Sequence, residues 1–129
     1  MSVNLLAVAL GGALGAMARY GVALGSLAIF GKSFPFGTLI VNIVGSFLLA
    51  LLFLGQQQGS VSSAAWLFFG VGVLGAFTTF SAFSLEVVLL LQAGETLKAL
   101  AYASLNVVCC IAAVAVALGL KTYFLSIWN

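Results

Sequence analysis

The residues able to do chemistry in this chain are few, and most carry no charge. Its 129 residues include four Lys or Arg, two acids, two Cys and no His. Without His, the usual proton shuttle and commonest metal ligand are missing. Glu86, Glu95 and the adjacent Cys109-Cys110 leave little material for hydrolytic, redox or metal chemistry, and adjacent Cys imply no disulfide framework. An enzyme is therefore not expected. What remains is a set of hydrogen-bonding side chains at helical spacing. Thr38, Asn42 and Ser46 follow i, i+4, i+8 and share one helix face. Tyr102, Asn106 and Cys110 do the same, with Lys98 one turn earlier. Phe80, Phe83 and Ser84 form an i, i+3, i+4 cluster, with Ser81 beside them.

These stripes can form one polar track, rich in donors: the Asn42 amide, the Thr38, Ser81 and Ser84 hydroxyls and the Tyr102 phenol. The track has almost no fixed negative charge, whereas a cation path would normally show a carboxylate or a ring of carbonyls. Phenyl rings are positive at their edges, so Phe80 and Phe83 can meet an anion edge-on. A small anion is the consistent passenger. Packing accounts for some of the same residues: most of the eleven Phe are lipid-facing or core residues, and Asn42 alone suits an interhelical hydrogen bond. Arg19 is placed as a partner for carbonyls or as a snorkelling side chain. Glu86 is placed at a vestibule or beside a Lys.

The elements that must position these residues follow from composition. Hydrophobic residues make up 64% of the chain and charged residues 5%, against about 25% charged in a soluble domain. Six charges cannot solvate a water-soluble surface of this size, so an integral membrane protein is expected. A membrane helix needs about 20 mostly apolar residues. Four segments qualify within a single membrane domain spanning 1–129: approximately 5–30, 36–54, 64–91 and 97–125. Arg19 deep in the first run, with no basic stretch before it, argues against a cleaved signal. Pro35 suits the first turn of the second helix, and Ser62 or Ser63 can cap the third. Trp66, Tyr123 and Trp128 sit where interfacial aromatics belong.

The third span is long and contains Gly70, Gly72 and Gly75 followed by Thr78 and Thr79, a poor helix interior. A break is expected near Gly75 to Thr79. The half that starts after it presents free N–H groups and positive potential, which favour an anion. Gly11 with Gly15 and Gly21 with Gly25 make flat faces for a close helix neighbour. Four helices of this length bury few side chains from one another, so an oligomer is expected.

Orientation is balanced. Lys32 and Lys98 fall on one side and Lys121 on the other. So small a bias allows insertion both ways round, or the single orientation that the excess sets. The net charge of +2 is scattered, so no nucleic-acid partner is expected.

Three motifs resemble those of the Fluc/CrcB family of bacterial fluoride channels. They are Gly12-Ala13-Leu14-Gly15-Ala16-Met17-Ala18-Arg19-Tyr20, Gly37-Thr38-Leu39-Ile40-Val41-Asn42-Ile43-Val44-Gly45-Ser46-Phe47, and Gly75-Ala76-Phe77-Thr78-Thr79-Phe80-Ser81-Ala82-Phe83-Ser84. The resemblance implies an all-α membrane protein of four helices, the third broken, in an antiparallel dual-topology homodimer. It implies two pores that pass fluoride out passively and lower cytoplasmic fluoride. Asn42, Phe80 and Phe83 would line each pore, with Ser84 and Tyr102 along the polar track. A structural Na+ at the dimer centre would be held by backbone carbonyls of Gly75 and Thr78. Arg19 would be an architectural or vestibule residue. Ala82 stands where the family pattern has a threonine, removing one hydroxyl from the track.

The bacterial inner membrane is the expected location. Two rival readings remain. A small dual-topology multidrug exporter would want a carboxylate in the first helix, where this chain has Arg19 and no acid. A non-transporting assembly factor would leave the aligned stripes without a use.

Overall fold

Long apolar runs become helices because a helix satisfies its own backbone where water is absent. The computed structural model describes the backbone of residues 3–128 and the side chains of residues 3–120. In chain order the helices are α1 (Val3–Phe30), α2 (Phe36–Gln57), α3 (Ser63–Ala65), a π-helical segment (Trp66–Leu74), α4 (Gly75–Phe77), α5 (Phe80–Gln92) and α6 (Thr96–Trp128). Four stretches are long and apolar enough to cross a membrane: Val3–Phe30, Phe36–Gln57, Ser63–Gln92 and Thr96–Leu120. No strand occurs among the described residues. This is an all-helical, multi-pass membrane protein. The Lys121 charge and the Tyr123 and Trp128 anchors lie outside the described side chains.

The turns have local causes. Gly31 ends α1 with φ +73° and donates its N–H to Leu27 O at 3.0 Å, a left-handed cap that suits Gly. Pro35 precedes α2 as its N-cap, one position earlier than the first turn expected for it. Ser62, rather than Ser63, caps α3 by accepting from Ala65 N at 3.2 Å.

The third span differs from the break expected over Gly75 to Thr79. Its glycines do not interrupt it: Gly70 and Gly72 lie in the π segment, and Gly75 is helical. Only Thr78 (φ −83°, ψ 156°) and Thr79 (φ −153°, ψ 119°) are extended. The span bends by only 10°. A short interruption between nearly collinear halves stands in place of a redirected helix.

The glycines serve close packing instead. A Cβ at Gly11 would strike the Phe68 carbonyl oxygen, and one at Gly15 the Val73 carbonyl oxygen. A Cβ at Gly72 would come within 2.9 Å of the Val8 carbonyl oxygen. Helix α1 thus lies backbone against backbone on the π segment. Gly21 and Gly25 meet nothing within 4 Å, so their face is open on this chain.

Helix α2 packs chiefly on α6. The core includes Val41 of α2 and Tyr102 of α6, which are 1% and 0% exposed, together with the polar Asn106. Most large apolar side chains face outward, among them Leu10, Leu14 and Met17 of α1. That distribution suits a chain whose solvent is lipid or another apolar surface.

Candidate functional site

The site is organised around the interruption in the third span. Thr79 is extended and is the N-cap of α5, so its N–H lacks a helical partner while its C=O, which accepts the first bond of α5, keeps a second lone pair, and a bare N–H is costly inside a membrane. Asn42, from the middle of α2, supplies both partners. Its Oδ1 accepts from Thr79 N at 2.8 Å, and its Nδ2 donates to Thr79 O at 3.1 Å. The Thr79 hydroxyl then caps α5 by accepting from Ala82 N at 3.1 Å, and pairs with Ser81 Oγ at 3.2 Å.

The second hydrogen of the Asn42 amide goes to Asn106 Oδ1 at 3.0 Å. Asn106 in turn donates to the Tyr102 carbonyl one turn back, at 3.2 Å. The Tyr102 hydroxyl donates to Glu86 Oε2 at 2.5 Å, and Thr38 donates to Glu86 Oε1 at 2.9 Å. The stripes on α2 and α6 and the polar positions of α5 therefore join into one network. Glu86 is held by two hydroxyls and not by a Lys; Lys98 pairs with Glu95 at 3.1 Å, near the start of α6.

Aromatic rings continue the line. Phe80 and Phe83 have centroids 5.4 Å apart, and Phe83 and Tyr102 5.5 Å apart. Phe34 meets Tyr102 edge-on at 5.4 Å. Phe83 is half-buried, whereas Phe80 is 77% exposed on this chain.

Three cavities follow the network. One of about 430 Å³ lies beside the α1–α2 turn, lined by Lys32, Phe34, Thr38 and Glu86 among others. One of about 330 Å³ is lined by Arg19, Thr38, Thr79, Ala82 and Glu86. One of about 310 Å³ is lined by Asn42, Ser46, Thr78, Phe80, Phe83, Asn106 and Cys110. The first two share Thr38 and Glu86, and the last two share Thr79. The Arg19 Nε is buried with no hydrogen-bond partner among the described residues.

The structure thus brings Thr38, Asn42, Phe83, Tyr102 and Glu86 together. Ser84 bonds locally, donating to Phe80 O at 2.9 Å, and Ser81 is exposed. The donors expected to be free are largely engaged: those of Thr38, Asn42, Tyr102 and Ser84 all point at protein oxygens. Two cavity residues, Ser46 and Asn106, belong to the polar stripes read from the sequence but were not among the residues assigned to the pore. Their signal was present, since each lies one turn beyond a site residue, Asn42 or Tyr102. No group of three or more His, Cys, Asp or Glu able to hold a metal occurs among the described residues.

Fold and site together define a small multi-pass membrane protein with a donor-rich, nearly uncharged path between its helices. The family described as CrcB-like protein, Camphor Resistance (CrcB), matches residues 6–120. The chain belongs to this family. A fluoride-specific ion channel FluC of Idiomarina loihiensis is 52% identical over 112 residues, covering 87% of both chains. A protein of the same name from Shewanella halifaxensis is 52% identical over 108 residues, covering 84% of this chain and 87% of that one.

Proposed function

We propose that this chain is a channel, not an enzyme, and that it passes fluoride down its gradient out of the cell and so lowers cytoplasmic fluoride. The observation that carries this reading is the pairing of family membership with an aromatic and hydroxyl-lined path whose only carboxylate is restrained. Both Glu86 oxygens accept hydrogen bonds, from Thr38 and from Tyr102. That arrangement delocalises the acid's charge over two donors and keeps it at one wall. Phe83 and the exposed Phe80 line the neighbouring cavity, and the edges of phenyl rings are positive. Helix α5 begins at Phe80 and adds the positive end of its dipole.

The working form is an antiparallel homodimer with two pores. Exposed Leu10, Leu14, Met17 and Phe80, with the open face of Gly21 and Gly25, support an apolar partner surface on each subunit. The balanced loop charges support insertion in both directions. A Na+ at the dimer centre fits the third span. In an unbroken helix Thr79 N would donate to Gly75 O; here it donates to Asn42. The Gly75 carbonyl is thereby released, and with Thr78 O it would hold the ion, which locks the subunits together and is not transported. Arg19 acts as a vestibule or architectural residue. The inner membrane of a bacterium is the site of action.

A multidrug exporter is not favoured by any contact: α1 contains Arg19 and no acid, and Glu86 is tied to hydroxyls. The test is efflux from liposomes containing the purified protein, read with a fluoride electrode. Fluoride efflux without chloride or drug transport supports the reading; drug transport without fluoride efflux overturns it.

A further inference from the structure

Helix α2 holds both extended residues of the third span, each by a different means. Asn42 bonds the main chain of Thr79. Gly45, three residues on and so on the same helix face, meets Thr78. Gly45 is buried, and a Cβ there would strike the Thr78 Cγ2 methyl. The next atoms such a Cβ would meet are Phe77 Cδ1 at 3.3 Å and Thr78 Cβ at 3.7 Å, so the methyl is the main obstacle. Gly is a poor helix former in the interior of a 22-residue helix. Here its missing side chain leaves a notch that the methyl fills.

The methyl is not able to swing aside. The Thr78 N–H and the Thr78 hydroxyl both donate to the Leu74 carbonyl, at 3.1 Å and 3.0 Å. With Oγ1 tied, χ1 is set, and the staggered geometry at Cβ fixes Cγ2 as well. The notch therefore fixes the Thr78 end of the Thr78–Thr79 peptide. Asn42 fixes the other end, because its Oδ1 accepts the Thr79 N–H at 2.8 Å. No cis peptide occurs among the described residues, and in a planar trans peptide the C=O and the N–H point in opposite directions. The Thr78 carbonyl thus points away from Asn42. It cannot turn without breaking that bond or lifting the methyl out of the notch.

We propose that Gly45 is a positioning residue for the sodium site: by seating the Thr78 methyl it aims the Thr78 carbonyl at the ion. This rests on the Na+ site of the proposed dimer and assigns to it a residue that does not touch the ion. Strain placed at Gly45 reaches the ion only through Thr78.

The test is the melting temperature of the purified protein as Na+ is titrated against a large organic cation at constant ionic strength. The proteins compared are wild type, Thr78→Ser, Gly45→Ala, and Gly45→Ala combined with Thr78→Ser. Ser keeps the hydroxyl that donates to Leu74 and lacks the methyl. Gly45→Ala is expected to need about tenfold more Na+ for half of the stabilisation, because a Cβ and the methyl cannot share the notch. The double variant is expected to return to within about twofold of Thr78→Ser. A Gly45→Ala protein with the wild-type Na+ requirement overturns the proposal; if it also melts lower by the same amount in both cations, its defect is one of packing alone. A double variant that stays as weak as Gly45→Ala overturns it too, since the methyl would then not be the cause. If Gly45→Ala gives no folded protein, the double variant decides: folding with the Na+ response of Thr78→Ser supports the notch, and failure to fold overturns it. A wild type whose melting ignores Na+ removes the sodium reading itself and this proposal with it, an outcome told apart because it needs no variant.

Discussion

Asn42 holds both main-chain polar groups of Thr79, accepting from its N–H at 2.8 Å and donating to its C=O at 3.1 Å. One side chain on α2 thus does for Thr79 what a neighbouring strand would do for an extended residue. It is the reason the third span can leave helical geometry for two residues and resume without a change of direction.

Asn42→Asp tests this clamp. The substituted carboxylate keeps an acceptor for Thr79 N but sets oxygen against oxygen at Thr79 O and Asn106 Oδ1. Each lost bond that leaves a buried group bare costs about 1–3 kcal/mol. The variant is expected to lose several degrees of thermal stability in detergent as well as fluoride flux, since a negative charge also opposes the anion. Wild-type stability would show that Thr79 is held by something else.

Phe80→Ile and Phe83→Ile test the aromatic wall. An aliphatic side chain keeps much of the bulk and loses the positive ring edge. Flux is expected to fall strongly in both while the protein still purifies in its native assembly. Phe83→Ile also removes the ring that packs on Tyr102, so its effect on thermal stability is expected to be the larger of the two. Unchanged flux in both variants would leave the rings with a packing role alone.

Ala82→Thr bears on the buried Arg19 Nε. Ala82 and Arg19 line one cavity, and a hydroxyl at position 82 offers an acceptor where the structure has none. A hydrogen bond contributes about 1 kcal/mol net. A modest rise in melting temperature is expected, with flux changed by less than about tenfold. A fall in stability would mean that the added hydroxyl does not reach the guanidinium.

The glycine faces give a paired test. Gly15→Ala forces a Cβ onto the Val73 carbonyl group, and backbone cannot move aside as a flexible side chain can. Overpacking of this kind costs about 1–3 kcal/mol or more, and the yield of folded protein is expected to drop. Gly25→Ala meets nothing on this chain and gains about 1 kcal/mol of helix propensity, so the protomer fold is expected to survive. Gel filtration then reports whether that open face is covered by a second subunit: a loss of the dimer in Gly25→Ala alone would place the interface there.

Sodium withdrawal probes the centre of the proposed dimer. Exchange of Na+ for a large organic cation is expected to lower the thermal stability of the assembly, because the Gly75 and Thr78 carbonyls would face each other without a positive charge between them. Because backbone atoms bind the ion, Thr78→Ser is expected to keep most of the Na+ effect. Identical melting in both media would remove the ion from the assembly.

The linear chain by itself determined the class of protein and the location of its chemistry. So few charges among so many apolar residues admit only membrane helices, and the i+4 spacing of Thr38, Asn42 and Ser46, or of Tyr102, Asn106 and Cys110, places polar groups on single faces whatever those faces meet. The unsuitability of Gly75 to Thr79 for a helix interior was also legible. Its outcome was not: propensity counts what a residue prefers in isolation, whereas Gly72 packs on the α1 backbone at Val8 and Gly11, Gly70 packs against Trp66 and Leu52, and Thr79 is held by Asn42 from 37 residues away. The same limit applies to the donors. A sequence shows that Asn42, Thr38 and Tyr102 carry hydrogens to give; only the packed helices decide that Glu86, Thr79 and Asn106 receive them. A hydrogen bond belongs to two groups at once, and the second is chosen by tertiary structure.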